Sequence, residues 1–364
     1  MLLTLPLGKP RLLILDSLRG LMLVLLAFNH YGGRIQNITA EPLGWVSAAE
    51  GFVFLAGLMV GLLYAAKMIT DPRLVTRKLF SRTFKIYLTY TLVLLVFWVT
   101  VRLSPFYARV WDGELLPPHF GSGLGTLLGI VTVYYQTNYL GILPLYVMLF
   151  LAAPLFLWLF TKGYARAVFV VSIPLYLVQP FGMDAYIERL FPSSIYSFFT
   201  WNILFLAGLY FGYRVRNGGL RVSFRPRYLV SAVVIAALLF VSRELFRFGL
   251  VGGFDYELKL AFTRAYLSPL RLANFFLLAY LTVGLAHIRP RWLQNRWLSF
   301  LGQHSLYVFA WHGLVLYFVW PYMGGFNREL ESVLFVAALT VPAWLHQAWR
   351  LRHLRRAAGV NLSH

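Results

Sequence analysis

The chain has no cysteine among its 364 residues. This excludes disulfides, thiolate metal sites and a thiol nucleophile together. Charge is nearly as scarce: 13% of residues are charged, about half the share usual in a soluble domain. There is no internal repeat, heptad array or low-complexity tract, so a solenoid, a coiled coil and a disordered linker protein are excluded as well. What fills the chain is apolar. Hydrophobic residues make up 59% of it, and runs of about twenty residues rich in Leu, Val, Phe and Ala recur from end to end. A soluble fold could not hide that much apolar surface. The pattern predicts an all-α polytopic membrane protein: a single integral-membrane domain over residues 1–364.

Windows of about nineteen residues place ten transmembrane helices near 12–31, 45–66, 86–103, 139–161, 166–181, 198–213, 228–242, 270–288, 298–320 and 332–349. The formal charge of +20 would point to nucleic acid in a soluble protein, but here its location decides. With both termini cytoplasmic, the inner segments hold 22 of the 33 cations and one acid, Asp71, whereas the outer segments hold ten of each sign. That asymmetry obeys the positive-inside rule, so the charge describes orientation and no nucleic-acid partner is expected. The stretch from Leu124 to Thr137 is apolar but short; it reads as a re-entrant or interfacial segment, because counting it as a span breaks the alternation of charge.

Ionisable groups inside spans are costly and by default mark a pathway or a site. On the first helix, Asp16, Arg19 and His30 fall within an arc of roughly 60°. Asp16 and Arg19 also read as a structural pair at a helix start, about 16 Å along the axis from His30. Glu50 stands about one and a half turns into the second helix, near the depth expected of His30. A carboxylate beside an imidazole fixes its tautomer and stabilises the imidazolium formed when it takes a proton, so His30 is the candidate base and Glu50 its candidate partner. Glu50 shares a stripe with Gly57 and Gly61, whose small-xxx-small spacing reads as helix packing. With no cysteine and no nucleophile-elbow serine, direct transfer in one displacement is expected.

Two further histidines, His304 and His312, lie in the ninth apolar run, about 80° apart around the helix, too far for an obvious two-histidine metal face. No metal is expected. His312, in the outer half, is assigned with Asn29 to the acceptor side; His304, nearer the inner side, either faces a donor or bonds a neighbouring helix.

Several segments resemble a known family. Leu15-Asp16-Ser-Leu-Arg19-Gly20 through Asn29-His30 resembles the first helix of the membrane acyltransferase-3 superfamily, with its basic residue, ten intervening positions and histidine. Ala48-Ala-Glu50-Gly-Phe-Val-Phe-Leu-Ala-Gly57-Leu-Met-Val-Gly61 resembles, more narrowly, the OpgC family, which attaches succinyl groups to osmoregulated periplasmic glucans. Arg82-Thr-Phe-Lys85-Ile-Tyr87 resembles the basic lead-in to the third helix, without the proline common there, and Leu301-Gly-Gln-His304 through His312 the late glycine-to-histidine segment.

The resemblance implies a multi-pass protein of the bacterial cytoplasmic (inner) membrane. It implies a cytoplasmic acyl-CoA donor, most plausibly succinyl-CoA, used as co-substrate with no permanently bound cofactor. The acceptor it implies is a hydroxyl of a periplasmic glucan or other polysaccharide. His30 would be the essential base, with Asp16, Arg19 and Glu50 belonging to the family pattern. Arg77, Arg82 and Lys85, together with His304, are the donor-binding candidates, although inside-positive topology accounts for the cations without a ligand. The competing readings are a transporter or flippase for an anionic or lipid-linked envelope solute, an acetyltransferase of another envelope polysaccharide, and a structural subunit of a glucan synthase.

Overall fold

The computed structural model describes residues 9–357, except 112–122, 135–136, 138, 179–195, 219–221, 223, 251–266 and 324–326. No strand occurs among the described residues. The helices in chain order are α1 Lys9–Tyr31, α2 Arg34–Thr39, α3 Ala48–Thr70, α4 Pro72–Leu103, α5 Pro105–Val110, α6 Gly123–Val131, α7 Ile142–Thr161, α8 Ala165–Val178, α9 Phe198–Arg216, α10 Pro226–Arg247, α11 Pro269–Ile288, α12 Arg296–Gln303, α13 Ser305–Phe318, α14 Arg328–Ala338 and α15 Thr340–Ala357.

Seven helical stretches among the described residues are long and apolar enough to cross a membrane: Leu13–Tyr31, Ala48–Thr70, Pro72–Leu103, Ile142–Thr161, Pro226–Arg247, Pro269–Ile288 and Arg328–His353. The other three expected spans are also helical but differ in kind. α8 is a shorter apolar helix, α9 is buried from Thr200 through Leu209, and the ninth is broken in two. α6 has nine residues, about 14 Å of rise, which is too short to span the roughly 30 Å of hydrocarbon.

Three boundaries differ from the sequence-based expectation. The third span starts near residue 86 by hydropathy, but α4 begins at Pro72 and runs for 32 residues. Asp71 caps it by accepting from the Leu74 amide at 3.0 Å, Pro72 suits the first turn, and no glycine or proline follows before Pro105. The basic lead-in is therefore continuous with the span. The helix expected over 298–320 breaks at His304, whose φ of −108° and ψ of 19° are not helical. The stretch expected over 332–349 divides at Leu339, ahead of Pro342, whose ring and missing N–H cannot continue a helix from the preceding turn.

The chain forms two compact units. Among the described residues, one comprises 41–288 and the other 9–40 with 289–357. In the first, α3 and α9 are pressed together by four glycines. A Cβ built on Gly57 would lie 2.1 Å from the Phe205 carbonyl oxygen, and one on Gly61 2.3 Å from that of Leu209. From the other side, a Cβ on Gly208 would lie 2.2 Å from the Phe54 oxygen, and one on Gly212 2.3 Å from that of Leu58. The small-residue stripe on α3 thus meets a matching stripe, Gly208-x-x-x-Gly212, on α9. Between helices in lipid there is no hydrophobic force to replace this close packing. α4 and α7 pack beside them, with the Arg82 guanidinium 4.9 Å from the centroid of the Phe150 ring.

In the second unit, α1 crosses α12 by the same device. A Cβ on Gly20 would lie 1.9 Å from the Leu298 carbonyl oxygen, and one on Gly302 1.9 Å from that of Asp16. The Ser17 hydroxyl donates to the Asn295 carbonyl at 3.0 Å and accepts from the Asn295 amide at 3.1 Å. The Asn295 side chain caps α12 through the Leu298 amide. Tyr31, at the other end of α1, donates to Glu331 of α14 at 2.8 Å. α1 is thereby held at both ends, which fixes the face that carries Asp16, Arg19 and His30.

Candidate functional site

In the unit that holds α1, His30 Nδ1 lies 2.9 Å from Nε2 of His312 on α13. The rings are 5.0 Å apart between centroids and tilted by 32°. His312 is 1% exposed. Its Nδ1 lies 3.3 Å from the Phe309 carbonyl oxygen one turn back on α13, and its ring packs against Phe309 and Phe335. The half-buried His30 thus has a second imidazole directly behind it, and Asn29 beside it in sequence is also half-buried. The two members of the acceptor-side assignment therefore differ: His312 is a hydrogen-bond partner of His30, Asn29 its neighbour in the chain.

Asp16 and Arg19 form the expected i,i+3 ion pair at 3.7 Å. Arg19 also donates to the Ser305 hydroxyl at the start of α13. The guanidinium therefore ties α1 to the break between α12 and α13, about 16 Å along α1 from His30. The break itself is held by His304, which is 4% exposed. Its Nδ1 lies 2.6 Å from Nδ1 of His346 on α15, and the His346 ring stacks on Tyr307 at 3.9 Å between centroids. Of the two roles left open for His304, a bond to a neighbouring helix is the one its geometry displays.

Glu50 sits in the other unit and is 0% exposed. Ser47 and Glu50 form a capping box at the start of α3. One carboxylate oxygen accepts from the Ser47 amide at 3.1 Å and the Ser47 hydroxyl at 2.5 Å. The other accepts from Arg271 Nε at 3.0 Å and Nη2 at 2.6 Å. All four bonds come from within its own unit, so the carboxylate expected to orient His30 has Arg271 as its counter-ion.

Arg271, 1% exposed, also reaches Glu41 at 2.6 Å. From there the network continues through Arg243, 3.4 Å from Glu41 and 2.7 Å from Glu244, to Arg247. These ion pairs join the start of α3 to the end of α10 and the start of α11. Asn274, one turn beyond Arg271, accepts from the Trp45 amide at 2.8 Å. Gly44 before it has φ of +93°, and a Cβ there would lie 2.7 Å from the Asn274 oxygen; both features require glycine. Arg243 and Arg247 both pair with Glu244.

The cations expected to bind the donor occupy the first half of α4. Arg77 and Lys85 are exposed, and Arg82 is turned onto Phe150. Among the described residues no three His, Asp or Glu side chains gather as a metal ion would need.

Sequence reasoning missed Arg271, Ser305, His346 and the Gly208–Gly212 stripe. Arg271 had a usable signal: it stands two residues into an apolar helix, where a cation needs a partner. Gly208 and Gly212 repeat the spacing of Gly57 and Gly61. Ser305 and His346 carried no signal of their own, because a hydroxyl near a helix start and a histidine among basic residues are ordinary features.

Neither comparison with curated proteins nor comparison with solved structures returned a match. The family model described as OpgC protein, however, matches residues 11–356. It covers both units, including α1 with His30, α3 with Glu50 and α13 with His312. The chain, a multi-pass membrane protein of acyltransferase type, belongs to the OpgC family.

Proposed function

We propose that this protein is a membrane O-acyltransferase that moves a succinyl group from cytoplasmic succinyl-CoA to a hydroxyl of a periplasmic glucan, with His30 as general base. The single observation that carries the reading is the His30–His312 contact on a face of α1, within a chain of OpgC membership. An imidazole held by a second buried imidazole is a positioned proton acceptor, and a positioned base contributes typically 10²–10⁴-fold to such a transfer.

The reaction needs no covalent enzyme intermediate. As the acceptor oxygen attacks the thioester carbonyl carbon, its proton passes to His30. The ester C–O bond forms, the C–S bond breaks, and the proton returns to the departing CoA sulfur. Exposed Arg77 and Lys85 on α4 offer the charge that nucleotide phosphates require. The cation-rich segments face the cytoplasm in this reading, which puts both termini inside and the protein in the bacterial inner membrane.

The test uses the purified full chain in detergent, supplied with succinyl-CoA and glucan. Release of free CoA, together with a succinylated glucan seen by mass spectrometry, is expected from the native protein. His30→Ala, folded as judged by gel filtration, should lose that turnover. CoA release by His30→Ala at the native rate would refute the assignment of the base. Turnover with acetyl-CoA alone would refute the donor.

A further inference from the structure

We propose that His312 is a positioning residue that holds His30 in the tautomer whose basic lone pair lies on Nε2. The inference rests on the reading of His30 as the base and adds how its proton is placed. A carbonyl oxygen only accepts, so the 3.3 Å contact from His312 Nδ1 to the Phe309 oxygen puts a hydrogen on that nitrogen. A neutral imidazole carries one such hydrogen, which makes His312 Nε2 an acceptor. His30 Nδ1, 2.9 Å from it, must then donate. The proton of neutral His30 is thereby fixed on Nδ1, and Nε2 carries the lone pair.

The surroundings of His312 favour this order. It is 1% exposed, and its partners are His30 and the Phe309 and Phe335 residues. None is an acid that would hold a second proton on the ring, and an uncompensated charge in such a place is costly. The opposite arrangement, with His312 cationic and donating to His30 Nδ1, would put the remaining hydrogen of His30 on Nε2 and leave no base.

During transfer, His30 Nε2 takes the acceptor hydroxyl's hydrogen and becomes an imidazolium. Its Nδ1–H bond to His312 then becomes charge-assisted and shorter, with no proton passing to His312. The same hydrogen leaves from Nε2 to the CoA sulfur. His312 thus does for His30 what a buried carboxylate does in a catalytic triad, with a neutral acceptor in place of an anion.

Two variants separate positioning from packing. His312→Leu suits the apolar walls but has no acceptor, whereas His312→Gln offers an amide oxygen near the position of Nε2. The expected result in the CoA-release assay is a fall in kcat of about 10²–10⁴-fold for the leucine variant, with KM for donor and glucan unchanged. The glutamine variant should stay within about tenfold of the native enzyme, because it restores the acceptor. A leucine variant that turns over like the native protein, or a glutamine variant no better than leucine, overturns the inference.

A second measurement needs no His312 variant. In the ¹⁵N-histidine spectrum of the native full-length protein, with His30 assigned by its loss in His30→Ala, the Nδ1–H tautomer of His30 is expected and the Nε2–H tautomer refutes the proposal. Native turnover by His30→Ala would instead refute the proposed function, while the spectrum still reports the tautomer.

Discussion

Replacing Glu50 by leucine should destabilise the protein by about 3–5 kcal/mol, because it removes one of the two carboxylates paired with a buried guanidinium. Arg271 is 1% exposed and Glu50 0%, and two of the guanidinium nitrogens converge on one carboxylate oxygen at 2.6 and 3.0 Å. With that carboxylate gone, Glu41 at 2.6 Å remains on the other side of Arg271, and it is shared with Arg243. The loss should therefore fall short of that for a completely isolated charge, nearer about 3 kcal/mol than 5.

The companion variant removes both partners. In Glu50→Leu/Arg271→Leu no buried charge is left uncompensated between them, and the double variant should be more stable than Glu50→Leu, with a coupling of about 1–3 kcal/mol. The assay is the midpoint of thermal unfolding in detergent for the native protein, the two single variants and the double variant, together with acyl transfer at a temperature where all are folded. If Glu50 serves the architecture of its unit, activity should return with stability in the double variant. Full thermal stability in Glu50→Leu, with acyl transfer abolished in both single and double variants, would refute it and return Glu50 to the chemistry.

Two further outcomes follow from the helix contacts. Gly208→Ala puts a methyl 2.2 Å from the Phe54 carbonyl oxygen, a backbone atom with no rotamer to yield. α3 and α9 must move apart by roughly 1 Å, with a cost at or above the 1–3 kcal/mol usual for overpacking, whereas Gly123→Ala, whose methyl meets nothing nearer than 3.7 Å, should cost far less; equal thermal shifts for the two would refute the interlock. Asn295→Ala removes the cap on the Leu298 amide and should lower stability by about 1 kcal/mol, with Asn295→Asp recovering most of it; thermal unfolding of the three proteins decides, and an unaffected alanine variant would show that the cap contributes nothing.

The sequence by itself determined the class of protein. Apolar runs about as long as a bilayer is thick leave only helices, because every backbone N–H and C=O must be satisfied inside its own segment. It also placed Asp16, Arg19 and His30 on one face of α1, since helical spacing is a local property that neighbours do not alter. The motifs of α1, α3 and α13 were legible for the same reason, and they agree with the family found over residues 11–356.

Only the tertiary structure decided the pairings. Helical periodicity says which residues share a face but not which helix that face meets, and a buried charge accepts any well-placed partner. Sequence offered Glu50 to His30 on depth alone, yet the fold gives Glu50 to Arg271 and sets His312 behind His30. The break at His304 belongs to the same level. Hydropathy is a sum over a window and does not register one non-helical residue. That residue becomes visible only when the neighbouring helices fix where each half must go, as Gly302 against the Asp16 carbonyl fixes α12.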